Sequence, residues 1–388
     1  WRSLQERFGT GSQYLGFLRD SPSAAQRLCH ILSNSRFLGE ALRKSAESIT
    51  WLGADEQLQL RSQMSLRTQT RSTVERFADK PAGFATSIRA MRRHEIERIG
   101  LGWMSHAVSE SECLQGMTDV YDAILSATLR WAVTRQIDQS KAALAPANIA
   151  IIAMGRYGGS EVNFSSDADI IAVYEPKQGA DSHEANLFAL HVIDDMRLVL
   201  SGSVSVEEKI DLDMDLRPEG KNGPLVRSYD SCREYYRSWA STWESQALLR
   251  ARFAAGDSDL GHRIIDDIIN PLRYPKSALT DDQISEIRTL KARMESERLP
   301  RGVRRERHIK LGKGGLSDIE WTVQLSQLQH AHDIPALQTT STLEALESLR
   351  REGLIDVEDA DNLRETWIMC TAARNGSYLW SGRATRAD

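Results

Sequence analysis

Between residues 149 and 175 the chain reads IAIIAMGRYGGSEVNFSSDADIIAVYE. An apolar run, Ile149 to Met154, stops at Gly155; a polar, glycine-rich segment follows; then Asp167-Ala168-Asp169 leads into a second apolar run, Ile170 to Tyr174. Short apolar runs bounded by turn residues predict buried strands. Elsewhere the spacing is mostly helical. Apolar residues recur at three- and four-residue intervals over 24–32, 37–46, 83–101, 117–136 and 182–201, with Ser182 and Glu184 in the last helix's first turn and Gly202 closing it. Residues 204–216, VSVEEKIDLDMDL, alternate with period two and predict a half-buried strand with Asp211, Asp213 and Asp215 on one face. Such a row of like charges is uncommon on a strand. From Ser228 the helical period returns to the end, over 233–253, 284–299 (stopped by Pro300), 321–330, 343–351 and 357–374, with a second glycine-rich loop at 310–320. Helices, a small sheet of three or more strands, then helices make an α+β protein, mostly α.

Hydrophobic residues at 41 % and charged residues at 27 % are ordinary globular usage, and 388 residues suit one to three domains. A net charge of −5 argues against a nucleic-acid-coating surface, and no basic, aromatic-lined groove is visible. Polymerase and tRNA-modifying roles are disfavoured accordingly. The four cysteines lie far apart with no CxxC pair, which suits a reducing cytoplasm and indicates no zinc site. No run of 18 apolar residues or signal peptide is seen, so neither a membrane nor export is expected. The start at Trp1 reads as a piece of a longer polypeptide. The arginines at 89, 92, 93 and 98 read as a solvated helix face.

The chemistry gathers at the first glycine. Asp167 and Asp169, one residue apart at the head of a strand, point to the same face. Held close they repel, and a divalent cation is the usual remedy. Eleven residues separate Gly155 from Asp167, and about forty residues later a third carboxylate stands on another predicted strand. Three such aspartates can hold two Mg²⁺ ions for an in-line displacement at phosphorus. Glycine lets backbone N–H groups approach phosphate oxygens.

Gly-x11-Asp-x-Asp after a strand resembles the nucleotidyltransferase superfamily related to DNA polymerase β. The fuller string MGRYGGSEVNFSSDADIIAVYE resembles one branch, the bifunctional glutamine synthetase adenylyltransferase/adenylyl-removing family. DLDMDLRPEG, GPLVRS, WESQALLRAR, KARMESERLP and HIKLGKGGLSDIEWTVQLSQLQHAH extend the likeness in order over roughly residues 20–383. The resemblance implies a polymerase-β-like core at 106–228, a helical N-terminal or inter-domain region at 1–105, and a C-terminal helical bundle at 229–388. It implies Asp167, Asp169 and Asp213 as metal ligands and catalytic residues, the last because it stands where the family has Asp-x-x-Leu-Arg-Pro. Asp215 stands where other members carry a basic residue, and Asp211 and Asp215 are extra carboxylates. Gly155, Arg156, Ser166, Arg217, Lys310 and Lys313 become candidate ATP contacts. Arg156 replaces the superfamily's usual Gly or Ser, Arg217 reads equally as a structural ion-pair partner, and the two lysines equally as loop charges. Tyr235, Tyr236, Trp239 and Trp243 read as core rather than as a nucleotide platform, and His332-Asp333 as incidental.

In that family one half adenylylates a tyrosine of glutamine synthetase from ATP, and the other removes AMP by phosphorolysis. Both carry the motif. The block at 308–332 and ARNGSYLWSGR resemble the C-terminal, adenylylating half of actinobacterial members, so AMP transfer in nitrogen control is expected. Removal of AMP, or a non-catalytic regulatory domain, are the alternatives. The implied partners are glutamine synthetase, a PII-type protein, glutamine and the sister catalytic domain.

Overall fold

The computed structural model describes residues 12–383 except 142, 278, 298 and 300–302. Trp1 and Pro300, used above, lie outside the described residues. Among these no helix is long and apolar enough to cross a membrane.

The centre is a five-stranded mixed sheet. β1 (Ala147–Ala153) runs antiparallel to β2 (Ala168–Pro176), with Ala150 opposite Val173. The other edge of β1 takes β5 (Arg252–Gly256), with a register shift between Ile151 and Ile152. The far edge of β2 is shared by two short parallel partners, β3 (Leu212–Asp213) and β4 (Val226–Ser228). β1 and β2 read as unbroken apolar runs because both faces of the sheet are covered. Ile149, Ile151, Ile170 and Ala172 face a core shared with α6 (Glu110–Ser140) and α7 (Ser182–Ser201). Ile152, Met154, Ile171 and Val173 face α8 (Tyr229–Trp239) and α10 (Ser258–Arg263). The α7 boundaries agree with the periodicity, but its N-cap is Asp181, whose carboxylate accepts the His183 and Glu184 N–H groups.

Two expectations change. Residues 204–216 are not a strand: only Leu212 and Asp213 reach the sheet. The alternation survives as burial, with Ile210 and Met214 under 6 % exposed and Asp211 exposed, because a loop draped over a core also turns alternate side chains inward. Nor is 228–388 helical throughout, since α9 (Thr242–Leu248) ends before β5.

The N-terminal layer is α1 (Ser12–Asp20), α2 (Pro22–Asn34), α3 (Arg36–Lys44), α4 (Gln63–Arg76) and α5 (Pro81–Met104). Its core is continuous with the α6 face of the sheet, where Phe84 stacks on Trp131 at 4.9 Å. The arginines of α5 are not a solvated face. Arg89 is 1 % exposed; it caps the C-terminus of α7 by donating to the carbonyls of Val199 and Gly202, and donates also to the Glu207 carbonyl in the loop beyond. Arg93 pairs with Glu207, and Arg98 lies 3.9 Å over the Trp51 ring.

Beyond the sheet come α11 (Asp281–Glu297), α12 (Leu316–His330), α13 (Thr342–Arg351) and α14 (Val357–Ser381). The last returns to the beginning of the chain, where Ser35 Oγ donates to the Leu379 carbonyl at 2.7 Å.

Candidate active site

Ala168 is wholly buried at the head of β2, so the alternation of the strand turns Asp167 and Asp169 together to its other side. The parallel pairing sets Asp169 directly against Asp213. One carboxylate oxygen from each of the three aspartates lies within 4.8 Å of the others. Burial, then the charges of Asp167 and Asp213, push the Asp169 carboxyl up to about 7. Burial also raises Asp167, with Asp213 adding to it, and Lys310 opposes both shifts. Asp213 Oδ1 accepts the Asp215 N–H at 2.7 Å, which holds the loop end of this third carboxylate. An oxygen-only donor set, crowded enough to resist ionisation, fits a hard divalent cation.

Gly155 is required twice. Its φ of +53° is left-handed, and an added Cβ would meet Asp169 Oδ2 at 2.3 Å. The strand ladder continues as the Met154 N–H donates to the Asp169 carbonyl, so the glycine backbone and the carboxylate are held together. The next segment packs closely on the backbone before β5, since a Cβ on Gly158 would lie 1.8 Å from the Arg250 carbonyl. Asn163 shapes the run into the aspartates: its Oδ1 accepts from the Ser165 N–H and from the Ser165 and Ser166 hydroxyls. Tyr121 from α6 donates to the Ser166 carbonyl at 3.0 Å.

A cavity of about 360 Å³ opens over this face, lined by Gly155, Arg156, Ser166, Asp167, Asp169 and Lys310, and also by Arg250, Glu320, Gln324 and Arg374. Arg156 Nη2 donates to Glu320 Oε1 of α12 at 2.9 Å, while Nη1 meets no partner among the described residues. Burial would raise the Glu320 carboxyl, but Arg156, Arg250, Lys310 and Arg374 outweigh it and hold the group below its ordinary value. Arg250 is anchored behind the site by Glu161 and Thr342.

Arg217 lines a second concavity, shared with Asp167, Asp211, Asp213 and Asp215, that adjoins the aspartate cluster from its other side. Its guanidinium donates to the carbonyls of Met214, Lys221 and Gly223. Asp215 is 3.2 Å from Lys221. Lys313 is exposed and does not line the cavity over the aspartates. Arg250, Glu320, Gln324 and Arg374 escape sequence reasoning, because a charge or amide in a turn or on a helix carries no mark of what it faces. The one available signal for Glu320 was the unmatched Arg156, 164 residues away.

Residues 25–267 match the family model described as glutamate-ammonia ligase adenylyltransferase, and residues 288–386 match that of GlnD PII-uridylyltransferase. The chain is 65 % identical over all of its length to a Bifidobacterium longum (strain DJO10A) protein, covering 36 % of that protein. It is 42 % identical over 99 % of its length to one from Streptomyces coelicolor, covering 39 % of it. It is 40 % identical over 99 % of its length to one from Mycobacterium tuberculosis, covering 38 % of it. Each is named bifunctional glutamine synthetase adenylyltransferase/adenylyl-removing enzyme, and the chain spans little more than a third of their length. A family match over residues 25–267, on the segment that carries Gly155 and the three clustered aspartates, places this chain in the glutamate–ammonia ligase adenylyltransferase family.

Proposed function

We propose that the chain transfers AMP from ATP to a tyrosine hydroxyl of glutamine synthetase. The observation that carries this is the three-aspartate cluster packed against a left-handed glycine, in a chain of this family. Asp167, Asp169 and Asp213 would hold Mg²⁺, two ions in the fullest case, which when bound would neutralise triphosphate charge and favour the ionised hydroxyl. Arg156, with one nitrogen unengaged, and Lys310 line the same cavity and would bind phosphate oxygens; Gly155 lets backbone come close beside them. The tyrosine oxygen forms its bond to the α-phosphorus as the bond to the β-phosphate oxygen breaks. Pyrophosphate leaves, and a carboxylate at the site takes the phenolic proton before passing it to water.

The adenylylating direction rests on the likeness of residues 308–332 and of ARNGSYLWSGR to the adenylylating half of the family; the first of these blocks also supplies Lys310 and Glu320 to the cavity. Glutamine synthetase is then the protein substrate. A PII-type protein, glutamine and the sister catalytic domain are proposed to meet the helical layers. The test is transfer of labelled AMP from ATP to purified, unmodified synthetase. Asp167→Asn or Asp169→Asn should lower turnover by roughly 10²- to 10³-fold while the fold persists. Near-normal transfer by both variants would sink the assignment. ADP released from adenylylated synthetase and phosphate, with no labelling from ATP, would reverse the direction.

A further inference from the structure

The cavity over the aspartates is walled almost entirely by charged and polar groups, and nothing in it would cover the flat apolar faces of a nucleobase. Beside it lies a second groove of about 450 Å³, whose lining is mostly apolar: Trp243 of α9, Trp321 of α12, Leu290 and Met294 of α11, and Leu216, three residues beyond Asp213. Gln324 lines both spaces. It stands one helical turn, about 6 Å, after Glu320, the partner of Arg156, so the charged pocket and the groove adjoin along one face of α12. Gln246 Nε2 donates to Gln324 Oε1 at 2.8 Å where the two spaces meet. Gln246 is 4 % exposed, and its own Oε1 has no partner among the described residues.

We infer that this groove takes the adenine base of the nucleotide whose phosphates occupy the charged pocket, stacked against Trp321 and Trp243 and read by Gln246. The inference rests on the proposed ATP chemistry of the aspartate site. Indole faces give a purine large, flat contact at low conformational cost. The adenine amino group supplies the donor that the Gln246 acceptor lacks, whereas guanine turns a carbonyl oxygen to the same edge. The phenol ring of the acceptor tyrosine fits less well. Its single donor must lie at the phosphorus, which would leave the buried amide oxygen unmatched.

The experiment is calorimetric titration of the full chain with Mg·ATP, Mg·GTP and Mg·tripolyphosphate, for the parent and for Trp321→Ala, Trp243→Ala and Gln246→Leu. Thermal melting is recorded for each, and Trp243→Phe replaces Trp243→Ala if that variant does not fold. Trp321→Ala should bind Mg·ATP roughly 10- to 100-fold more weakly, the scale of losing one base–aromatic stack, with tripolyphosphate affinity unchanged. Gln246→Leu should narrow the preference for ATP over GTP. ATP affinity within twofold of the parent in both tryptophan variants overturns the inference, as does an equal loss of tripolyphosphate. So does unchanged ATP binding with a raised KM for the synthetase, which would give the groove to the acceptor. Failure of the parent to bind tripolyphosphate removes the reading of the charged pocket instead.

Discussion

At Gly155 a single hydrogen atom decides whether the acidic cluster closes. Its positive φ costs a residue with a Cβ about 1–2 kcal/mol, and the Cβ would also displace the Asp169 carboxylate on which it lands. Gly155→Ala should therefore lower the melting temperature and, more tellingly, reduce the extra stabilisation that Mg²⁺ confers, read as the difference in melting with and without the ion. A variant that melts lower but keeps the full Mg²⁺ increment would show that the glycine serves only the turn. Residues of this kind were legible because their signal is local: Gly155, Asp167 and Asp169 lie within one strand–turn–strand unit. Arg156 was legible as odd but not as paired, since Glu320 comes from a helix far along the chain. Lys310 and Lys313 looked alike in one loop, and only the fold turned Lys310 to the cavity and Lys313 away from it.

Among elements, α5 departs most from the character of its sequence. A helix with four arginines in ten positions looks solvated, yet Arg89 enters the interior and engages two carbonyls at the end of α7 and a third in the loop that follows. Arg89→Ala should cost about 3 kcal/mol in urea unfolding, because buried acceptors lose a charged donor. Arg98→Ala, at a partly exposed ring contact, should cost less than half of that. Strand prediction succeeded where both faces of the sheet were covered, at β1 and β2, and failed at the edges. β3 is two residues long because β4 takes the next stretch of the same β2 edge. β5, with the sequence RFAAG, has too little periodicity to separate from the helix before it. Asp213, singled out by the family resemblance rather than by periodicity, lies in the brief stretch of 204–216 that does pair.

On the scale of the whole molecule, the acidic cluster makes stability depend on pH in a direction opposite to that of an ion-paired carboxylate. The Asp169 carboxyl moves from 3.8 to about 7 on folding. Between those values the native state holds more protons than the unfolded chain, so stability falls as pH rises and the penalty is complete above about 7. In chelator, the melting temperature should decline from pH 5 to 8. Millimolar Mg²⁺ should make the decline shallower by favouring the ionised site, and Asp169→Asn should do so without the ion, the remainder coming from buried Glu97, whose carboxyl burial also pushes up to about 7. A decline equally steep in that variant would exclude Asp169 as its source.

The hydrogen bond from Ser35 to the Leu379 carbonyl spans 344 positions. During synthesis, the first helices leave the ribosome long before the helix that completes their packing exists. At 5–20 residues per second that interval is roughly 20–70 s. Through it Leu38 of α3, wholly buried in the finished protein, lacks the cover of Leu379, with which it flanks Gly100. The newborn N-terminal layer thus keeps part of its apolar core uncovered until translation reaches the far end of α14.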